Sequence, residues 1–193
     1  MTETAAFTGS SLTGKLLIAM PGMADPRFDK SVVFICAHSA DGAMGLVVNK
    51  PTLEISFSDL LVQLDIPAGE TDHNPRLFYG GPVENSRGFV LHSTDYKADD
   101  GTLQVNDAFA MSATRSVLVD IAEGAGPSKT LPALGYAGWG PAQLESEMQQ
   151  NAWLTCEGDP GIVFAADSSS KWEAALSSLG ISPLMLSAEG GRA

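Results

Sequence analysis

The sequence predicts an α+β domain in which helices surround a mixed, mostly antiparallel sheet. Strand-like segments come in pairs joined by short turns, which is the pattern of antiparallel hairpins. Helix-like segments fall between these pairs instead of following every strand, so the alternation typical of a parallel sheet is missing. No segment repeats at a fixed period, which excludes solenoids and propellers. The length of 193 residues suits a single domain with a substantial core.

The rest of the chain is organised around residues 14–51, which contain the longest apolar runs. Residues 15–20 predict a first strand that a proline and a glycine end. Residues 31–38 contain the run VVFICA, which is apolar on both faces and predicts a buried central strand. Residues 43–49 predict a third strand, and the short turn before it predicts an antiparallel hairpin with the second.

An amphipathic helix is predicted after this hairpin, because four apolar residues recur at the spacing of one helix face. These residues are Phe57, Leu60, Leu61 and Leu64. Ser56 and Asp59 at its start resemble a capping box in which Asp replaces the usual Glu.

Three more helices are predicted towards the C-terminus. Residues 113–123 form the first, with Ser112 as its N-cap and Gly124 at its C-terminal end. Residues 141–150 form a short second helix, since proline is tolerated in a first turn. Residues 169–179 form the third helix, which directs an apolar face inward. That face consists of Trp172, Ala175, Leu176 and Leu179.

Six further segments predict strands, because they are short and apolar and are bounded by turn residues. They are residues 76–79, 87–93, 103–112, 131–137, 153–156 and 162–165. The stretch 103–112 has room for one or two short strands, and the stretch 131–137 is predicted to be buried.

The charge of the chain argues against several classes of partner. The formal net charge of −12 opposes non-specific attraction to nucleic acid and to anionic membranes. The 11 lysines and arginines are dispersed along the chain, whereas a helix that tracks phosphates places several on one face. The composition therefore disfavours direct nucleic-acid binding.

The termini and the cysteines indicate a cytoplasmic protein. No apolar run approaches the roughly 20 residues that cross a bilayer, so no membrane contact is predicted. The start, MTETAAFTGSS, lacks the features of a secretory signal, so residues 1–13 are predicted to be a disordered or frayed tail. Residues 14–193 are predicted to form the domain. The 2 cysteines are too few for a disulfide framework, which leaves the cytoplasm as the default compartment.

Cysteine and histidine residues are the candidates for catalysis. Cys36 and His38 are two apart on a predicted strand and should face the same side. Their backbones would be roughly 7 Å apart, which is long for a dyad, so a buried thiol beside a strand-end histidine is the favoured interpretation. His92 is predicted to be structural or surface-exposed. The histidines lack metal-site spacing, and neither a metal nor a cofactor is predicted.

Two glycine-rich segments are candidates for binding. Gly80 and Gly81 predict a sharp turn that needs positive φ, and a backbone nest for an anion or a peptide is the alternative. Tyr136 and Trp139 stand among three glycines, either as rings folded onto the core or as walls of a shallow cleft. The polar residues that would edge such a cleft are Gln143, Glu145 and Glu147.

An acidic loop contains Asp95, Asp99 and Asp100 and could attract a cation. It lacks the regular alternation of an EF-hand loop. We interpret it as a solvated loop.

Several separated motifs together resemble the AlgH/YqgE family of bacterial proteins. They are LIAMPGMADPRFDKSVVFICAH, GAMGLVVNKP, YGGPV, RGFVLH, LGYAGWGPAQLESE, NAWL and KWEAALSSLGI. The chain departs from the family pattern at Ala142, where the family often has glycine, and at residues 113–115. The resemblance implies a compact single α+β domain with a bifurcated, partly barrel-like sheet. It implies no catalytic residues and no cofactor, and members are commonly labelled transcriptional regulators.

The leading hypothesis is a cytoplasmic, non-enzymatic binding or regulatory protein that acts through a small ligand or a protein partner. We expect the loops PGMADPRF and NKP, at the ends of the hairpin strands, to contribute to its site. The residues predicted to bind the ligand are Asn49, Gly80, Gly81, Tyr136 and Trp139. One alternative is a transcriptional regulator that contacts DNA directly. The other is an enzyme that uses Cys36, His38 or His92.

Overall fold

The computed structural model describes residues 10–69, 73–98 and 101–186, which form one α+β domain. The strands are β1 (Lys15–Ala19), β2 (Val32–Ser39), β3 (Gly42–Val47), β4 (Phe78–Tyr79), β5 (Val83–His92), β6 (Thr102–Gln104), β7 (Ala110–Ser112), β8 (Thr130–Trp139) and β9 (Trp153–Glu157). The helices are α1 (Phe57–Gln63), α2 (Arg115–Glu123), α3 (Gln143–Gln149), α4 (Pro160–Val163) and α5 (Lys171–Ser178). Within these ranges no helix is long and apolar enough to cross a membrane.

Antiparallel pairing dominates the sheet, as the hairpin pattern predicts. The strand order is β6-β7-β5-β8-β3-β2-β1-β9, and among the described strands only the pairing of β4 with β8 is parallel. Strand β8 belongs to two ladders, because its first part pairs with β5 and its last residues pair with β3. The sheet therefore divides at β8 and curls into a half-barrel. The predicted mixed, bifurcated and partly barrel-like sheet is confirmed.

The hydrophobic core occupies both faces of the sheet. Phe34 and Leu46 point to one face, where α4 and α5 cover them. Val33 and Ile35 point to the opposite face, where they form a cluster with Leu144 of α3. Strand β2 is therefore buried on both faces along most of its length, as the run VVFICA predicts. A third cluster fills the space between α1, α2 and β5.

The helix ends follow local sequence signals in two cases and depart from them in one. Ser56 Oγ accepts the Asp59 N–H at 3.1 Å and the Asp59 carboxylate accepts the Ser56 N–H at 2.9 Å, so the capping box is confirmed. Gly124 ends α2 in the left-handed conformation with φ 77°, also as predicted. The prediction that Ser112 caps α2 is wrong, because Ser112 belongs to β7 and Thr114 takes the cap position.

Two predictions near the C-terminus are also wrong. Residues 162–165 do not form a strand, since their first two residues end the short helix α4. The Asp159 carboxylate accepts the Gly161 N–H at 2.8 Å with Pro160 in the first turn, so local capping starts a helix there. Leu179 does not face the core and is 40% exposed, because α5 ends one residue before it.

The predicted N-terminal tail lies only partly within the described residues. Residues 1–9 are outside them. Leu12 is buried, at 9% exposure, and its N–H donates to His38 Nδ1 at 3.0 Å. The chain therefore contacts the domain shortly before β1 begins.

Candidate functional site

A cavity of about 630 Å³ opens beside Trp139, and we call it the Trp139 cleft. Its lining comes from residues 20–28, from Pro82 and Val83, and from residues 138–153. These stretches are the loop after β1, the turn before β5, and the segment from the end of β8 through α3 to β9. The volume lies within the range of about 300–1,000 Å³ that is typical of ligand pockets. The loop PGMADPRF, which was expected to contribute to a site, lines this cavity.

Three aromatic rings, of Phe28, Trp139 and Trp153, pack against one another in the wall of the cleft and form what we call the aromatic cluster. The ring centroids of Phe28 lie 6.5 Å from Trp139 and 5.6 Å from Trp153. The two indoles are 6.1 Å apart, edge to face. Trp139 and Trp153 are 7% and 3% exposed, whereas Phe28 is half-buried. The cluster is therefore a rigid apolar wall with a limited accessible surface.

Glu147 holds both indoles in place. Its Oε2 accepts the indole N–H of Trp139 at 2.8 Å and that of Trp153 at 2.9 Å. Its Oε1 accepts an amide N–H of Gln143 at 3.2 Å. Gln143 and Glu147 are four residues apart on α3 and so share one face of that helix. Because three N–H groups bind it, this carboxylate is fixed in position beside the rings.

Two residues in the left-handed conformation bracket α3. Ala142 has φ 59° before the helix and Asn151 has φ 58° after it. A non-glycine residue in this region costs of the order of 1–3 kcal/mol and persists only where the surrounding structure requires it. Here the two turns direct one face of α3 towards the end of β8. Such strain is frequent at binding and catalytic sites.

An ion pair borders the cleft. Arg27 donates to the Asp25 carboxylate through Nε at 3.0 Å and Nη2 at 2.7 Å. The guanidinium lowers the pKa of the Asp25 carboxyl. Lys50 Nζ donates to the carbonyl of Arg27 at 3.0 Å. These bonds connect the loop after β1 to the residues that follow β3.

Trp139 is the one residue of the five predicted to bind a ligand that lines the cleft. Gly80 and Gly81 precede the lining residue Pro82 and lie against the backbone of β8. Gly81 has φ 155°, and a Cβ there would lie 2.1 Å from the carbonyl carbon of Tyr136. A Cβ on Gly80 would lie 2.2 Å from the carbonyl oxygen of Gly135. The glycines thus permit close approach between this turn and β8.

Tyr136 and Asn49 are directed away from the cleft. The Tyr136 ring contacts Phe89 at a centroid distance of 5.7 Å, next to the core of the opposite face. Asn49 accepts the Val32 N–H at 2.9 Å and donates to the Lys30 carbonyl at 2.8 Å, which braces the end of the hairpin. The five residues do not converge on one cavity. Ligand binding by Asn49 and Tyr136 stays a prediction.

A β-bulge separates Cys36 from His38. The pairing of β2 with β3 shifts between Ile35 and Ala37, so one extra residue reverses the alternation of faces. Cys36 therefore packs in the core on one face, whereas His38 reaches Glu145 of α3 on the other. The prediction that Cys36 and His38 face the same side is wrong for this reason.

Cys36 and His38 have separate surroundings and do not form a dyad. Burial raises the pKa of the Cys36 thiol to about 12, so it is not a thiolate at neutral pH. His38 Nδ1 accepts the Leu12 N–H, and His38 Nε2 lies 2.6 Å from Glu145 Oε1. Both ring nitrogens are therefore engaged, and Glu145 contacts His38 instead of edging the Trp139 cleft.

His92 is buried. Of the two predictions for this residue, a structural role or exposure at the surface, burial agrees with the structural role. Its Nδ1 lies 2.7 Å from the Ser93 carbonyl and its Nε2 lies 2.8 Å from Ser112 Oγ. Ser112 Oγ lies 2.9 Å from Thr102 Oγ1, which accepts the Ala98 N–H at 2.8 Å. A serine beside a histidine is the geometry of an activated nucleophile. Here His92 and Ser112 are both 0% exposed. Their hydrogen bonds form a continuous series that runs from the Ser93 carbonyl to the Ala98 N–H.

Folding brings some of the dispersed basic residues together near the end of β3. Lys50 contacts the Arg27 carbonyl, and Lys171 Nζ donates to the carbonyl of Val48 at 2.8 Å. Lys171 is buried, at 1% exposure, and Arg27 is paired with Asp25. This arrangement is not the row of free cations that a phosphate backbone requires. It gives no support to direct DNA contact.

The acidic loop lies partly outside the described residues, which do not include Asp99 and Asp100. Asp95 accepts hydrogen bonds from Ser93 Oγ at 2.6 Å and from the Ser128 N–H at 3.2 Å. These bonds lower the pKa of its carboxyl. Asp95 thus ties two loops together.

The sequence did not identify Phe28 and Trp153 as site residues. One signal could have done so, since Trp139 and Trp153 flank the short helix that carries Glu147. No local pattern, however, connects Phe28 to either tryptophan.

Comparison with known proteins identifies relatives over nearly the whole chain. The profile of a family described as AlgH-like matches residues 16–184. A UPF0301 protein of Paracoccus denitrificans is 56% identical over 186 residues, which cover 95% of this chain and 98% of that protein. A UPF0301 protein of Cereibacter sphaeroides is 54% identical over 182 residues, covering 94% and 99%.

Two solved structures share the fold. The solution structure of the AlgH protein from Pseudomonas aeruginosa has a TM-score of 0.78 and 40% identity, and all of both chains is covered. The crystal structure of a Corynebacterium diphtheriae protein has a TM-score of 0.68, with 87% of this chain and 86% of that one covered. Its identity is 21%, so this second likeness concerns the fold alone.

Proposed function

This chain belongs to the AlgH-like family, and from that premise we propose that it is a non-enzymatic binding protein of the bacterial cytoplasm whose site is the Trp139 cleft. Its regulatory action would run through the small ligand or protein side chain that occupies the cleft. The observation that carries this proposal is the cavity of about 630 Å³, walled by the aromatic cluster and by a fixed carboxylate. A concave cavity that combines aromatic side chains with convergent polar groups is a common form of ligand site.

The proposal is also supported by the strain around the cleft. Ala142 and Asn151 adopt left-handed conformations on either side of α3. Asparagine is tolerated in this conformation at the end of a helix, whereas alanine is not, so the strain lies chiefly at Ala142. The strain holds Gln143 and Glu147 towards the cavity, which is what a preorganised site needs.

Intrinsic fluorescence offers a direct test, because two of the 3 tryptophans lie in the aromatic cluster. In a Trp172→Phe variant, all tryptophan emission would come from Trp139 and Trp153 in the cleft. We expect members of a library of small metabolites and short peptides to change this emission and to raise the melting temperature, since a ligand that binds only the folded state stabilises it.

A matched pair of variants locates the binding. Ala24 is exposed and lines the cleft, so Ala24→Leu should weaken binding by at least about tenfold, or about 1.4 kcal/mol. Ala174 is exposed on α5 outside the lining, so Ala174→Leu should leave affinity unchanged. Equal affinity in both variants would place the site elsewhere. Chemical conversion of a bound compound would contradict the non-enzymatic part of the proposal.

A further inference from the structure

Glu147 is the charged group of the cleft that lacks a charged partner. The three hydrogen bonds to its carboxylate come from indole and amide N–H groups, which are neutral. In the part of the chain that the structure describes, no lysine, arginine or histidine forms an ion pair with it. An ionised carboxylate offers about four acceptor positions, so at least one remains for a ligand.

The other charges of the lining cancel. Asp25 and Arg27 both line the cleft and form a bidentate ion pair with each other. Glu147 thus leaves the cavity with one uncompensated negative charge. The formal net charge of −12 on the whole chain adds a field of the same sign.

The aromatic cluster adds a second attraction for positive charge. The faces of aromatic rings carry partial negative charge, and tryptophan is the strongest partner in cation–π contacts. Phe28 is half-buried and presents the most accessible ring of the cluster, whereas both tryptophans are buried. Gln150 and Asn151, also in the lining, carry amide oxygens that can accept from an N–H donor.

We infer that the ligand of the Trp139 cleft carries an organic cation, an ammonium or a guanidinium group, which pairs with Glu147 beside the aromatic cluster. This inference rests on the proposed function, because it names the ligand class of the same site. The cation has two possible sources with the same chemistry. One is a free amine or quaternary ammonium compound, and the other is a lysine or arginine side chain of a partner protein.

Matched probes test the charge at constant shape. Choline is compared with its neutral carbon analogue 3,3-dimethylbutanol, and a short arginine peptide with the same peptide containing citrulline. Binding is followed through the NMR signals of the two indole N–H groups that donate hydrogen bonds to Glu147. We expect each cation to bind at least about tenfold more tightly than its neutral partner. The probe pair with the larger ratio identifies the source as a free compound or a peptide.

Two variants give opposite expectations. Glu147→Gln removes the charge and should reduce the cation preference to about one. Gln150→Glu adds a negative charge at an exposed lining position and should increase the preference for the cation several-fold. This second variant keeps the test decisive if Glu147→Gln fails to fold. Equal binding of charged and neutral probes, or no binding of any cation, would overturn the inference. A different result would contradict the proposed function itself: no compound of the library binds more weakly to Ala24→Leu than to the unsubstituted protein.

Discussion

At the scale of single residues, buried and half-buried polar side chains of this domain serve packing and alignment. His38, His92 and Glu147 each form two or more hydrogen bonds within the protein. For His38 and His92 these bonds engage both ring nitrogens. Glu147 differs, because it retains acceptor capacity towards a cavity.

His92 predicts an acid-dependent loss of stability. Burial lowers its pKa below the ordinary value of about 6.5, so the unfolded state takes up a proton first as the pH falls. The contribution of His92 to stability is constant above about pH 6.5 and declines below it, by at most about 1.4 kcal/mol per pH unit. We expect the free energy of unfolding, measured by urea denaturation, to show this slope.

A comparison of two variants isolates the contribution of His92. In His92→Gln the acid slope should be smaller than in the unsubstituted protein, although the variant is less stable throughout. His73 is exposed, so His73→Gln should keep the original slope. An unchanged slope in His92→Gln would show that another group titrates.

At the scale of elements, the close approach of the turn before β5 to strand β8 depends on glycine. Gly81→Ala would place its Cβ within 2.4 Å of three backbone atoms of Tyr136 and Ala137 at an unfavourable φ. We expect a loss of about 3 kcal/mol or more in the free energy of unfolding. Gly88 on β5 is the control, because a Cβ there meets nothing within 4 Å. Gly88→Ala should change stability by less than about 1 kcal/mol.

Helix α5 is anchored by a buried lysine whose charge is costly. Lys171 Nζ donates to the Val48 carbonyl and lies 4.8 Å from the centroid of the Phe78 ring. Burial, and secondarily the charge of Arg76, lowers its pKa to about 8. In the unfolded chain the value is about 10.4, so the unfolded state binds the proton more tightly between these values. Lys171 therefore makes stability rise as pH increases from about 8 to roughly 10.4.

The test compares the protein with Lys171→Met, which keeps an unbranched side chain and removes the charge. The buried thiols of Cys36 and Cys156, whose pKa burial raises, act in the opposite direction in both proteins. The measured quantity is therefore the difference in unfolding free energy between the two proteins. As the pH rises from about 8 to roughly 10.4, the unfolding free energy of the protein with Lys171 should increase relative to that of Lys171→Met. A constant difference would show that folding does not lower the pKa of Lys171.

At the scale of the whole molecule, the sheet connects the candidate site to the fold. Strand β8 pairs with β3 through its last residues, and β9 joins the far edge beside β1. This topology brings Trp139 and Trp153 to the same side of the sheet, where the loop after β1 closes over them. Ligand binding should therefore stabilise elements that are distant in sequence. That linkage is the basis of the thermal test above.

The fold was largely predictable because its signals are local. The hairpin of β2 and β3, the capping box at Ser56, the left-handed Gly124 and the apolar spacing of α1 each depend on neighbouring residues. The errors also have local causes. A helix cap at Asp159 outweighed an apolar run, and a bulge at Cys36 reversed the alternation beyond it. Neither the cap nor the bulge is visible in hydrophobic periodicity alone.

The sequence by itself determined the α+β class, the mostly antiparallel sheet, the acidic character and the family. These follow from periodicity, turn residues, composition and motifs, all of which are written along the chain. Only the tertiary structure decided which side chains meet: it placed Trp139 with Phe28, Trp153 and Glu147, and it turned Tyr136 and Asn49 away. The reason is physical: side chains from segments far apart in sequence meet only where strand order and register place them on one face, and a shift of one residue sends a side chain to the other face.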